Sequence, residues 1–211
     1  MSNKIVKHRD PIGSGPVKYE VNPGQPGALN IRVEYENAPV PPHFYVADFF
    51  RVTPLGMVVL MEFGKLTGPA TSALRSKLEI YFPIAMFMNQ FWAGSREFYK
   101  VLAKFVTDSG FCADSPLADV TETDKVQTLH SNNVLTVLSG GECMMDFFYI
   151  SPKELWAKPP KRGNIDIEAL VRVICAPTLA LGFYDACAPI ADKMKDRLPA
   201  WIGDADALES K

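Results

Sequence analysis

The chain has 211 residues, 47% of them hydrophobic and 22% charged, and its formal net charge is −2. This is the composition of an ordinary soluble globular protein, and the length suffices for one large domain or two small ones. Because 22 Lys and Arg residues are balanced by 24 Asp and Glu residues, no overall basic field attracts nucleic acid or an anionic membrane surface. Nucleic acid is therefore not a predicted partner.

The sequence predicts neither a membrane span nor a secretory signal. Its longest apolar stretch, residues 78–92, is interrupted by polar residues and by Pro83, and it is shorter than the roughly 20 residues that a bilayer span needs. The first ten residues include basic side chains but no apolar core, as a signal peptide would require. We therefore predict a cytoplasmic protein.

Residues 1–41 are predicted to form an extended arm. Eleven of the first 42 residues are Pro or Gly, which disfavours regular structure, and only residues 29–35 alternate as a strand does. Two interpretations remain open, a disordered tail and an arm that wraps around a neighbouring subunit.

An internal repeat is the most informative feature of the remaining chain. Residues 48–64 and 133–148 each contain a strand, a Gly-containing turn and a strand that ends in two apolar residues, an acid and Phe, which predicts two hairpins. With a one-residue difference in the turn, Val52 corresponds to Val137 and Glu62 to Asp146. Alternation places both acids on the solvent face of a half-buried strand.

Each hairpin is followed by a further strand and by a helix that starts at a proline, Pro83 or Pro177. Apolar residues recur at helical spacing over residues 84–106 and 178–198, and Pro189 is expected to kink the second helix. The predicted fold class is α+β: two tandem β-β-β-α repeats with pseudo-twofold symmetry, whose antiparallel sheet is covered by two amphipathic helices.

This repeat predicts the organisation of the chain. The predicted segments are the Pro/Gly-rich arm 1–41, the first repeat 42–111, an acidic linker 112–124, the second repeat 125–201 and a short acidic tail 202–211. The acids of the linker lack the Gly-centred loop of an EF-hand, so we interpret this segment as solvated and predict no metal site. The four cysteines form no CxxC pair, which favours buried thiols over disulfides or zinc ligands. They are Cys112, Cys143, Cys175 and Cys187.

From Tyr45 through Gly64, and again in the second copy, the chain resembles tandem copies of a small bacterial domain family of unknown function. Members of that family look like an Asn-x-hydrophobic-x-Val strand, then a strand ending in hydrophobic-Asp-Phe-Gly, then Arg-Val-x-x-x-Pro before a helix. The matching residues here are Asn133, Asp146, Phe147, Arg172, Val173 and Pro177. The resemblance covers roughly two thirds of the chain and implies the fold and the repeat, with no catalytic residues to carry over.

The first copy departs from this pattern, with Asp48 in place of Asn, Glu62 in place of Asp and no Arg at the expected distance before Pro83. A strand meander followed by an apolar strand, a proline and an amphipathic helix is also similar to the SecB-type export chaperones. This second resemblance is one of fold alone.

The sequence offers few groups for catalysis. His130 and Cys143 form the only candidate dyad, and neither lies in a known motif. Gly140 and Gly141 precede a strand and are interpreted as a hairpin turn, because a phosphate loop opens a helix. The basic residues 158–163 are interpreted as a solvated loop, with contact to an anion or an acidic partner as the alternative. We predict no catalytic residue and no cofactor.

Large apolar side chains on both helices favour a protein partner. We predict a non-enzymatic binding or assembly protein, a homo-oligomer that self-associates through strand edges and apolar helix faces. The predicted interface residues are Phe91, Trp92, Phe98, Phe183 and Tyr184. Two alternatives remain open: a SecB-like chaperone that holds unfolded client chains, and a small enzyme with a site between the repeats.

Overall fold

The computed structural model describes residues 13–21, 31–34, 38–68, 71–110, 121–153 and 162–195. Its strands are β1 (Ser14–Val21), β2 (Ile31–Glu34), β3 (Phe44–Val46), β4 (Phe49–Leu55), β5 (Val58–Gly68), β6 (Thr71–Pro83), β7 (Val126–His130), β8 (Asn133–Ser139), β9 (Glu142–Ile150) and β10 (Arg162–Cys175). Its helices are α1 (Ile84–Met86), a π-helical segment (Phe87–Trp92), α2 (Arg96–Ser109) and α3 (Pro177–Lys195). The α+β class is confirmed.

The described strands form a six-stranded and a four-stranded sheet. In the larger sheet the order is β2-β1-β10-β9-β8, and β3 pairs in parallel with β10. Strand β1 pairs with residues 162–168 of β10 and β3 with residues 172–174, so β1 and β3 lie end to end on one side of β10. In the smaller sheet the order is β4-β5-β6-β7, and β7 is parallel to β6. Both sheets are therefore mixed.

The short strand before each hairpin joins the sheet of the other hairpin. Strand β3 lies just before β4 in the chain but pairs with β10, whereas β7 lies just before β8 but pairs with β6. Each short strand thereby satisfies backbone groups along an edge that the other antiparallel unit would leave open. The boundaries predicted at residues 42 and 125 precede strands that belong to the opposite sheet.

The inner faces of the two sheets share one apolar core. Phe63 of β5 lies 5.9 Å from Phe147 of β9, measured between ring centroids, and 5.2 Å from Phe183 of α3. Helix α3 packs against β4 and α2, so it contacts the sheet that does not contain the strand preceding it. A smaller cluster of buried residues from β1, β9 and β10, including Phe148, lies on the other face of the six-stranded sheet.

The prediction of one continuous first helix over residues 84–106 is wrong. The chain forms α1, then the π-helical segment, then a turn at residues 93–95 that contains Gly94, and then α2. Phe87 and Phe91 of the π-helical segment are both buried, and their rings stack at 5.4 Å. The second predicted helix corresponds to α3, Pro177–Lys195, and Pro189 lies inside α3 without ending it.

Part of the predicted arm belongs to the six-stranded sheet of its own chain. The predicted strand at residues 29–35 corresponds to β2, whereas β1 escaped prediction because Gly15 and Pro16 interrupt its pattern. The exposed and buried residues of β1 nevertheless alternate, and Val17 and Tyr19 are buried. Residues 14–21 and 31–34 are therefore strands of this sheet, whereas the rest of residues 1–37, apart from Gly13, lies outside the described part.

Both predicted hairpins are present, and their turns have the same length. The register pairs Leu55 with Val58 and Ser139 with Glu142, so each turn has two residues. Glycine supplies a positive φ in each turn, 61° at Gly140 for example. Counted from the turn, Thr53 and not Val52 corresponds to Val137, which corrects the alignment by one residue.

Candidate functional site

The outer face of the six-stranded sheet, which points away from the shared core, carries two rows of side chains. Register places one residue from each of β8, β9, β10 and β3 side by side in each row. The apolar row consists of Val137, Met144, Ile174 and Val46. The charged row consists of Leu135, Asp146, Arg172 and Phe44. Because Val46 is 51% exposed, Val137 40% and Phe44 59%, this face has exposed apolar side chains in both rows.

An ion pair fixes the middle of the charged row. Arg172 donates from Nε to Oδ1 of Asp146 at 2.6 Å and from Nη2 to Oδ2 at 2.7 Å, which is a bidentate pair. These hydrogen bonds raise the pKa of Arg172. The guanidinium also lies 5.7 Å from the ring centroid of Phe44, within range of a cation–π contact. Asp146 is buried, so the prediction of a solvent-exposed acid is right about the face and wrong about exposure.

Glu62, at the matching place in β5, is also buried and paired. It accepts a hydrogen bond from Nε of Arg51 at 2.8 Å and one from Nζ of Lys77 at 3.3 Å. The register places Glu79 of β6 beside Glu62. In the other sheet the equivalent neighbour of Asp146 is Arg172 of β10. The cations that neutralise Glu62 therefore come from β4 and from an earlier position in β6, which gives a physical reason for the missing Arg before Pro83.

Lys77 and Arg51 also form ion pairs with Glu122, near the end of the predicted linker. Glu122 accepts a hydrogen bond from Nζ of Lys77 at 2.8 Å and also pairs with Arg51. These bonds to Lys77 and Arg51 lower the pKa of Glu122. Burial alone would lower the pKa of Lys77, but its bonds to Glu122, Glu79 and Glu62 outweigh burial and raise it. Glu122 of the predicted linker is therefore both ion-paired and half exposed, at 50% of its side chain, while residues 111–120 lie outside the described part.

Strand β7 forms one edge of the four-stranded sheet. Lys77 N–H donates to the Lys125 carbonyl at 2.8 Å and Ser131 N–H donates to the Tyr81 carbonyl at 3.0 Å. In this parallel pairing the backbone groups of residues 127 and 129 point toward β6, and those of residues 126, 128 and 130 point outward. Of these outward groups, Val126 N–H donates to the Asp124 carbonyl at 3.1 Å. The strand contains no Lys, Arg, Asp or Glu, and no described strand pairs with its outer side.

Strand β3 has a similar free side beside a cavity. Arg172 N–H donates to the His43 carbonyl and Ala47 N–H donates to the Ile174 carbonyl, both at 2.9 Å, so the backbone groups of Phe44 and Val46 point away from β10. A cavity of about 330 Å³ opens at the end of the apolar row. Its walls include Val46, Ala47, Glu142, Ile174, Cys175 and Pro177.

The five predicted interface residues are not all at the surface. Phe91, Phe183 and Tyr184 are at most 1% exposed, and the rings of Phe91 and Tyr184 stack at 5.2 Å. They fill the shared core and leave no surface for a partner. Trp92 and Phe98 are only partly buried and pack against the same core, so the interface prediction stays a prediction for these two.

The structure separates the candidate dyad. His130 lies on the four-stranded sheet, where its ring is 5.4 Å from that of Tyr81, whereas Cys143 is buried on the inner face of the six-stranded sheet. Cys143 lies opposite Cys175, and the contact with Cys143, together with burial, raises the pKa of the Cys175 thiol. The two thiols are unlinked. The proposed pairing of His130 with Cys143 is wrong.

The described part of the chain contains no group of three or more His, Cys, Asp or Glu residues placed to hold a metal ion. Among its helices, none combines the length and the apolar character that crossing a membrane requires. Most of the basic segment 158–163, as well as Cys112 and the tail 202–211, lies outside the described residues.

Sequence reasoning missed both free strand edges and the apolar row. The tripeptide Phe44-Tyr45-Val46 was a usable signal, because it is β-prone and flanked by His and Ala. Arg51 and Lys77 were also missed, because only the strand register reveals that they are neighbours of Glu62. Comparison of the chain with protein-family models, with curated proteins and with solved structures finds no match.

Proposed function

We propose that this is a non-enzymatic assembly protein that self-associates through the free edge of β7. The observation that carries the proposal is that the outward N–H and C=O of Thr128 can pair with the same groups of a second copy. The outward carbonyl of Val126 faces the N–H of His130, while Val126 N–H, which donates to the Asp124 carbonyl at 3.1 Å, would exchange that bond on pairing. When two copies pair in an antiparallel manner about a twofold axis, Thr128 of each copy faces Thr128 of the other, and Val126 faces His130. This pairing would join two four-stranded sheets into one sheet of eight strands.

The charges around β7 permit this pairing. The strand itself has no formal charge, whereas exposed edge strands are commonly protected by lysine, proline or a bulge. Glu79 lies on the neighbouring strand, and Lys77 Nζ pairs with its carboxylate at 3.1 Å. A second copy would therefore bring no unpaired like charges into contact, and an isologous contact of this kind closes as a dimer.

Thr128→Pro is expected to convert the dimer to a monomer. The change removes an outward N–H at the centre of the proposed contact, while the bonds from β7 to β6 use residues 127 and 129 and remain. Loss of the two central hydrogen bonds would weaken dimerisation about a hundredfold. The measurement is sedimentation equilibrium at micromolar concentration.

The matched control is Thr128→Val, which removes the hydroxyl but keeps the backbone N–H, and it should remain dimeric. A Thr128→Pro protein that is folded by circular dichroism and still has the wild-type mass would contradict the proposal.

We also propose that the two sheets are tandem copies of one β-β-β-α unit related by pseudo-twofold symmetry, in line with the resemblance to the bacterial domain family. In support, a hairpin with a two-residue turn leads in each half into a long strand, and a helical segment follows a proline. The buried acids Glu62 and Asp146 take the same place in their sheets. The crossing of β3 and β7 to opposite sheets is the exchange that such an axis would produce.

A second candidate function is favoured by the apolar row: a SecB-like chaperone that holds unfolded client chains. Exposed apolar surface on a sheet is the feature that binds such chains. At an equimolar ratio the protein should suppress light scattering by a heat-unfolded reporter enzyme, and Val137→Lys should at least halve that suppression.

Val101→Lys is the control for this experiment, because Val101 is 58% exposed on α2 and lies away from the apolar row. Absence of suppression by the wild-type protein would remove this candidate, and equal losses in both variants would show that the row is not the binding surface.

A further inference from the structure

We infer that the free edge of β3 and the adjacent cavity form a binding site for an extended peptide segment with apolar side chains at alternate positions and a basic residue at one end. The inference rests on the second proposed function, the holding of unfolded chains, and it assigns that function to a defined site. The occupant is a segment of a client polypeptide.

The backbone of β3 is arranged for the addition of a strand. Its inward groups already bond to β10 at 2.9 Å through His43 and Ala47, which fixes the strand in position. The N–H and C=O groups of Phe44 and Val46 point to the opposite side, where no described strand lies. An added strand can therefore form four backbone hydrogen bonds, two with each of these residues.

The side chains beside this edge select apolar residues. Phe44 and Val46 project onto the outer face, 59% and 51% exposed, so alternate side chains of an added strand would cover them. Ile174 and Met144 continue the apolar row behind Val46. The cavity of about 330 Å³ has walls formed by Val46, Ile174, Cys175 and Pro177, and this volume accommodates one large apolar side chain.

The charge at the site favours a peptide with a basic residue next to its apolar segment. Glu142 lies in the cavity wall and is exposed at the start of β9, with no ion pair among the described residues. The other charges of this face, Asp146 and Arg172, neutralise each other in their bidentate pair. Among the described residues of the site, Glu142 is therefore the unbalanced negative charge, and it complements Lys or Arg next to an apolar segment.

The test uses a fluorescein-labelled octapeptide in which Val alternates with Thr or Ser and one end carries Lys. Fluorescence anisotropy with the full-length protein should show saturable binding. Val46→Pro should raise Kd at least tenfold, because it removes an outward N–H and leaves the bonds of β3 to β10 intact. Val46→Ile, which keeps both the N–H and the apolar surface, should bind as the wild type does.

Three results would overturn the inference. The first is that the peptide does not bind to the wild-type protein. The second is that a folded Val46→Pro variant binds the peptide unchanged. The third is that Val46→Pro lowers the solution mass, because the edge would then pair with a second copy of the chain.

Peptide binding and suppression of aggregation, measured together, distinguish failure of the β3 site from failure of the holding function. If the wild-type protein suppresses aggregation but does not bind the peptide, the holding function stands and the β3 site fails. If the peptide binds in the predicted way but aggregation is not suppressed, the site stands and the holding function fails.

Discussion

Phe183→Ala is expected to lower the free energy of unfolding by about 3–5 kcal/mol, the range found when a large core aromatic is truncated. Phe183 is 1% exposed, and its ring centroid lies 5.7 Å from that of Phe50, 5.2 Å from Phe63 and 5.7 Å from Phe91. It therefore connects α3 to β4, β5 and the π-helical segment. The cavity left by its removal is enclosed by rigid aromatic rings that cannot collapse into it.

Urea denaturation followed by circular dichroism measures this loss, and the midpoint should shift while the slope is unchanged. Phe98→Ala is the comparison, because Phe98 is only partly buried and should cost less. The solution mass of a folded Phe183→Ala protein should equal that of the wild type. A loss of stability below about 1 kcal/mol, or a change in mass, would contradict the assignment of Phe183 to the core.

Asp146→Ala is expected to lower the free energy of unfolding by about 2–4 kcal/mol, somewhat less than for a fully buried pair because Arg172 retains partial exposure. The side chains of Arg172 and Asp146 are 25% and 8% exposed. Removing the carboxylate leaves a guanidinium among apolar neighbours with neither of its two hydrogen bonds, and this desolvated charge dominates the cost.

The double variant Asp146→Leu with Arg172→Met is the matched control, since it replaces both charges by apolar side chains of similar size. Its stability should lie within about 1 kcal/mol of the wild type, because the desolvation cost of the pair disappears together with its attraction. Wild-type stability of the single Asp146→Ala variant would show that the pair contributes nothing and would refute this account of the charged row.

The elements that could be predicted from the sequence are those coded by neighbouring residues. Gly140 and Gly141 between two β-prone segments predict a hairpin turn, and the structure confirms it. Pro177 after an apolar strand marks the start of α3. Such signals depend on backbone conformations that a few residues determine, without any knowledge of tertiary contacts.

The exchange of β3 and β7 between the sheets could not be predicted in this way. Strand β3 has three residues and β7 has five, too few for a period that reveals a face or a partner. Their pairing is also non-local, and β3 meets β10 across most of the chain. Residues that fill the shared core, such as Phe91 and Phe183, were consequently assigned to an external interface.

The candidate site was hidden for a related reason. Alternation correctly places Asp146 on the outer face, but it does not reveal that Arg172 lies beside it on the next strand. Likewise, a free edge is a property of strand order, so Val46 and Thr128 acquire their significance only once the neighbours of β3 and β7 are known.

The most direct test of the proposed assembly is the solution mass of the wild-type chain across a range of protein concentrations, measured by sedimentation equilibrium. Pairing through β7 predicts a species of twice the 23.4 kDa chain mass that dissociates to the single chain on dilution. A mass of 23.4 kDa at every concentration would contradict self-association through the strand edge.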